Sequence, residues 1–220
     1  MNVFLEEKGM LRQPLEIILS LPAVFLALSF HEFAHAWTAD MLGDDTPRNQ
    51  GRLTLAPLVH VDWPGLMLFL LFGYGWAKPV QVNPSNFRKR KMGEILVALS
   101  GPAANFFLAV AATLLSVVLS VTKFNSPAMN TILLVIDNII YLNIVFGLIN
   151  LLPIPPLDGY RIIKNIFFRS NIRFFMAYER YGIYILFAFL LLGLFDIIVS
   201  RPAFAIYRYL MLISMKLLSL

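Results

Sequence analysis

Long apolar stretches, each closed by chain breakers or by charge, set the pattern of this sequence. The first runs from about Arg12 to Ala39, and Gly43-Asp44-Asp45-Thr46-Pro47 ends it. Others lie at about Gly93 to Val121, Met129 to Leu152 and Tyr178 to Val199, with a shorter one containing Arg208 at about Ala203 to Leu218. A membrane-spanning helix needs about 20 apolar residues, so the pattern predicts five spans. Between the first two, Leu66 to Phe72 is apolar for only seven residues, flanked by Pro64-Gly65 and Gly73. That length predicts a re-entrant or interfacial segment. Polar and apolar residues alternate in Gly51-Arg52-Leu53-Thr54-Leu55 and in Lys78-Pro79-Val80-Gln81-Val82, as they do in a strand. Pro153-Ile154-Pro155-Pro156-Leu157-Asp158-Gly159 separates the third and fourth spans, and a helical piece from Tyr160 to Phe168 comes next. The expected fold is an all-α polytopic membrane protein of about five transmembrane helices, plus a re-entrant segment with a small β element, in a single unit over residues 1–220.

Composition sharpens this. Of 220 residues, 59% are hydrophobic and 14% charged, whereas a soluble domain carries about 25% charged residues. With no cysteine, disulfides are excluded and a bound zinc has only histidine and carboxylate ligands to use. The net charge of +5 is assigned to loop anchoring, and no nucleic-acid partner is expected. With residues 40–92 and 153–180 in the cytoplasm, that side holds Arg48, Arg52, Lys78, Arg88, Lys89, Arg90, Lys91, Arg161, Lys164, Arg169, Arg173 and Arg180. The other side keeps Lys8, Arg12, Lys123 and Arg201. The asymmetry predicts a multi-pass protein of the cell membrane with its N-terminus outside and its C-terminus cytoplasmic. Glu6 and Glu7, and the lack of a small-residue cleavage site after the apolar run, predict a retained first span.

The chemistry sits in His31-Glu32-Phe33-Ala34-His35, at the end of a stretch, Leu15 to Phe30, whose single charge is Glu16. Two histidines four apart share one helix face and can grip one zinc, and the glutamate can take a proton from a bound water. Ionisable residues at membrane depth are costly and mark function. A catalytic zinc takes three protein ligands and a water. His60, Asp137, Asp158 and Asp196 are the candidates for the third ligand. Asp158 is best placed, in the proline-rich break at a depth similar to the histidines. Asp137 and Asp196 fall toward the outer half of their spans, and His60 reads as an interfacial or structural residue. Arg88-Lys89-Arg90-Lys91 reads as a topology anchor, and Gly101-Pro102-Ala103-Ala104-Asn105 as a close-packing helix face.

The order and spacing of His31–His35, Ser100-Gly101-Pro102-Ala103-Ala104-Asn105, and Asn150-Leu151-Leu152-Pro153 through Leu157-Asp158-Gly159 resemble the site-2 protease family of intramembrane zinc metalloproteases, in its short form. The similarity takes in Gly51–Leu55 and Trp76–Val80 and spans most of residues 20–165. It implies one zinc per chain held by His31, His35 and Asp158, Glu32 as general base, and Asn150 as a donor to the substrate carbonyl or its oxyanion. It implies transmembrane proteins or peptides as substrates; self-association is left open. Ala56, where relatives carry Asn, and Asp62-Trp63-Pro64, where they carry Asp-Pro, depart from the pattern. The expected function is zinc-dependent intramembrane endopeptidase. The alternatives are a non-catalytic scaffold or pseudoprotease, against which the intact Glu32 argues, and a zinc transporter, against which the one-sided clustering of ligands argues.

Overall fold

Pro14 opens the first long helix, and helices make up most of the chain beyond it. A computed structural model of the chain describes residues 14–72, 75–121, 126–167 and 171–218. Glu6, Glu7, Lys8, Arg12, Gly73, Lys123, Phe168 and Arg169, on which parts of the sequence reading rest, lie outside the described residues. The helices are α1 (Pro14–Met41), α2 (Thr46–Asn49), α3 (Pro57–His60), α4 (Trp63–Phe72), α5 (Arg90–Val121), α6 (Pro127–Asn150), α7 (Asp158–Phe167), α8 (Ile172–Leu191) and α9 (Arg201–Leu218). Five stretches have the length and apolarity to cross a membrane: Ile17–Met41, Arg90–Val121, Pro127–Asn150, Ile172–Leu191 and Asp196–Lys216. The chain is thus an all-α, multi-pass membrane protein, as its apolar pattern predicts. The short apolar run between the first two spans becomes α4, which is too short to cross.

The fourth span is displaced from its expected position. Asn171 accepts the Phe174 N–H at 3.1 Å and starts α8 early, and Gly193 at φ +69° ends it. Hydropathy reads through Leu191-Leu192-Gly193-Leu194, because glycine stops this helix by adopting a left-handed backbone rather than by being polar. A single π-helical turn, Asp196–Ser200, then leads into α9.

The small β element reduces, among the described residues, to one antiparallel bridge between Val61 and Ala77, with the Lys78 N–H donating to the His60 carbonyl at 2.8 Å. A ladder needs free backbone groups, and here the candidates are used otherwise. The chain turns at 51–54, where the Arg52 N–H donates to the Pro47 carbonyl at 2.8 Å and the Thr54 N–H to the Arg52 carbonyl at 2.9 Å. In the stretch 78–82 the Val80 N–H is taken by a side chain of α1.

Helices α1, α5 and α6 form the centre of the bundle. Small residues let their backbones approach: Ala23 and Ala27 on α1, Ala98 and Ala109 on α5, all essentially inaccessible. Phe69 of α4 packs on Ala23, Val24 and Leu142, which fixes the short helix across α1 and α6. Ile136, Ile140 and Ile144 of α6 fill the gap between Ala109 and Ala112 of α5 and Ala203 of α9. The large apolar side chains left exposed, such as Phe107, Leu114, Tyr184 and Phe187, suit a lipid environment.

Just beyond α1, Asp44 is fully buried and organises the loops. It accepts from the Thr46 hydroxyl (2.6 Å), the Asn83 N–H (2.7 Å) and the Asn86 side-chain amide (2.7 Å). Burial would raise its pKa, but these donors outweigh burial and hold the carboxyl below its ordinary value. A carboxyl with a lowered folded pKa stabilises the fold at pH above its ordinary value, near 4, and that contribution fades as pH falls through the lowered value. Asp44→Ala should therefore cost about 1–3 kcal/mol at neutral pH. The gap from the natural chain, followed by thermal unfolding in detergent, should narrow below about pH 4.

Candidate metal centre

The i, i+4 spacing of His31 and His35 turns both imidazoles to one side of α1, where both are buried. Their Nε2 atoms lie 3.0 Å apart, and each is 3.1 Å from Oδ2 of Asp158. Asp158 is the first residue of α7, brought there by the proline-rich link after α6. These three atoms form the one His/Cys/Asp/Glu group of metal-binding geometry among the described residues.

The other ring nitrogens decide what the centre can hold. Nδ1 of His31 donates to Oδ1 of Asn105 at 2.8 Å. Nδ1 of His35 donates to the Val97 carbonyl at 2.7 Å. The Asn105 amide cannot be turned the other way round, because its nitrogen already donates to the Ala27 carbonyl and to Oδ1 of Asn143, each at 3.0 Å. With both Nδ1 atoms protonated, the neutral rings direct Nε2 lone pairs at each other and at a carboxylate oxygen. Such a convergence is repulsive unless a metal cation, or a proton on one Nε2, stands among the three atoms. Two imidazole nitrogens and one carboxylate oxygen are a catalytic zinc donor set, and their spacing suits bonds of about 2.0–2.2 Å to one ion. Gly101 of α5 keeps the space open: a Cβ there would lie 2.6 Å from Cε1 of both histidines. The residues present thus fit the metal.

Glu32 is buried next to the centre, and its Oε2 accepts the Val80 N–H at 2.9 Å. The segment 78–82, which is neither helix nor strand, therefore holds this carboxylate. The other candidates for third ligand are engaged elsewhere. His60 is buried and donates through Nε2 to the Thr54 carbonyl at 2.7 Å. Asp137 accepts from the Tyr207 hydroxyl, and Asp196 pairs with Arg201 at 3.0 Å. Asn150, at the end of α6, donates to the Phe146 carbonyl of its own helix at 3.0 Å; no hydrogen bond joins it to the three ligands.

Sequence reasoning treats Asn105 as part of a packing face and passes over Asn143. Asn143 is fully buried, donates to the Ile139 carbonyl at 2.8 Å, and presents its oxygen to Asn105. An amide in the middle of an apolar span is itself a signal, since lipid offers it no partner.

The sequence model of peptidase family M50 matches residues 118–193, a stretch that holds Asn150 and Asp158 but not the histidines. Among curated proteins, "Putative zinc metalloprotease YwhC" of Bacillus subtilis is 43% identical over 145 residues, 65% of this chain and 66% of that protein. "Putative zinc metalloprotease Rip2" of Mycolicibacterium smegmatis is 35% identical over 150 residues, 65% of this chain and 55% of that protein. Its namesake from Mycobacterium tuberculosis is 30% identical over 146 residues, 63% of this chain and 53% of that protein. The match thus spans just under two thirds of YwhC and little more than half of each Rip2. No solved structure matches the chain.

Metal content of the purified chain tests the role of the supporting groups. Asn105→Ala removes the acceptor that fixes the His31 tautomer and should weaken zinc binding about 10–100-fold. Gly101→Ala should lose the metal altogether, because its Cβ collides with both rings. His60→Ala should retain it.

Proposed function

The chain belongs to peptidase family M50, and we propose that it is a zinc-dependent endopeptidase that hydrolyses peptide bonds in or near transmembrane segments of other membrane proteins. The observation that carries this reading is the convergence of His31, His35 and Asp158 beside Glu32, on a helix apolar enough to span the bilayer. Hydrolysis there needs a metal, a base, and an opening for an unwound substrate.

His31, His35 and Asp158 would hold one zinc, which when bound supplies a polarised, readily deprotonated water and a Lewis acid for the scissile carbonyl. Glu32 takes the proton from the attacking water as the C–O bond forms. It returns that proton to the leaving amine as the C–N bond breaks. Asn150 steadies the carbonyl oxygen as it gains negative charge. One of its two amide N–H groups donates to the Phe146 carbonyl at 3.0 Å, which leaves the other for that role. A helical substrate hides its carbonyls in its own hydrogen bonds, so the cleaved stretch must be extended. Residues 78–82 adjoin Glu32 through the Val80 N–H, and the backbone groups which that contact leaves over are those with which such a stretch can pair.

The basic residues at 48–52, 78–91 and 161–180 support an orientation with these segments in the cytoplasm and the N-terminus outside, in the cell membrane.

Glu32→Gln should retain zinc and the fold but cut no transmembrane reporter, because an amide cannot accept the water's proton. A reporter cleaved at the natural rate by this variant would overturn the mechanism. Asn150→Ala should lower turnover about 10²–10³-fold with zinc content unchanged. Parallel losses of metal and activity would instead make Asn150 a brace for the end of α6.

A further inference from the structure

A groove of about 750 Å³ lies between the extended segment that includes Val80 and Val82, the start of α5, the Pro155-Pro156 link, α7 and α8, and its volume is in the range of substrate sites. Two of its walls are hydrogen-bonded to residues of the metal centre. Val80, on one wall, is bonded to Glu32 at 2.9 Å. Val97, on another, is bonded to His35 at 2.7 Å. The α7 wall begins with Asp158 itself.

Four charged side chains line this groove: Glu94, Arg161, Lys164 and Glu179. Three of them are satisfied by neighbours. Glu94 accepts from Arg90 at 3.2 Å and from Asn165 at 3.0 Å, and Glu179 accepts from Lys164 at 2.6 Å. Arg161 differs. Among the described residues its carboxylate neighbour is Oδ1 of Asp158, at 4.0 Å and so beyond hydrogen-bond distance. Asp158 turns its other oxygen to the two imidazoles. The Arg161 side chain is 48% exposed, and its planar fork of donors can take a two-oxygen acceptor from within the groove.

We propose that Arg161 is a specificity-determining residue: it binds a carboxylate carried by the substrate segment that lies in this groove, a few residues from the bond to be cut. This rests on the proteolytic reading of the metal centre. Two sources offer the same chemistry: an Asp or Glu side chain, or the C-terminal carboxylate of a shortened chain. A substrate lysine at that position meets a like charge and is disfavoured.

Equilibrium binding to the full-length Glu32→Gln chain in detergent, read by fluorescence anisotropy of labelled transmembrane peptides, tests this without turnover. One peptide series carries Glu, Gln or Lys at successive positions; a second ends within the same region in a carboxylate or a carboxamide. At one position Glu should bind about tenfold more tightly than Gln, and Lys more weakly than either, as expected for a charge-assisted pair. Adding Arg161→Glu should reverse that order, and Arg161→Gln should abolish it. Discrimination by the terminal group alone would identify the chain end as the source. Equal affinities across both series, or an order that survives in Arg161→Gln, overturn the proposal. If the order holds but the Glu32-containing chain cuts none of these peptides, the proteolytic reading fails and the Arg161 site stands.

Discussion

Two imidazoles and a carboxylate on one helix, in a stretch from Ala23 to Ala36 without an exposed residue, must find every partner inside the bundle. That requirement governs the packing of this protein. His31 and His35 leave α1 toward α5, which supplies Asn105 and the Val97 carbonyl. Both rings also face α7, which supplies Asp158. Glu32 is met by Val80, in the link between α4 and α5. Each contact ties a different segment to the same two turns of α1. A slip of α5 by one residue would move Asn105 off His31 and replace Gly101 by a side chain between the rings. Apolar packing in a membrane is permissive about register, because lipid tails are as apolar as the residues they replace; these polar contacts are not.

The carboxylate at the far side of the centre needs its own support, because Asp158 comes after an irregular link. Helix α8 provides it. The Tyr178 hydroxyl donates to the Pro153 carbonyl at 2.8 Å, and the Tyr160 hydroxyl to the Phe175 carbonyl at 3.2 Å. Gly182 lets the link lie directly on α8: a Cβ there would fall 2.3 Å from Cβ of Pro155. The fourth span is thus a brace for Asp158, although it contributes no atom to the centre.

Much of this is legible in the sequence. The number of spans follows from apolar length, and the histidine pair from a spacing whose geometry is local to one helix. Asp158 stands out because a carboxylate in a proline-rich break, at matching depth, has few other uses. The span end at Gly193 is not legible to hydropathy, since the break lies in the backbone. Nor are the strands, because alternation shows where a ladder could form and not whether its donors are free; Val80 gives its N–H to Glu32 instead. Asn105 reads as a packing residue. It sits in a stripe of small residues that packs, but its second role depends on the rotation of α5 against α1, which no local pattern encodes.

The centre is written across a long stretch of chain. His31 meets Asn105 over 74 positions and His35 meets Asp158 over 123. During synthesis, α1 enters the bilayer with its histidines and glutamate while the residues that answer them have yet to be made. No shorter nascent chain can assemble the three-ligand site. The three side chains that converge can therefore come together only once α7 has been made and has reached α1.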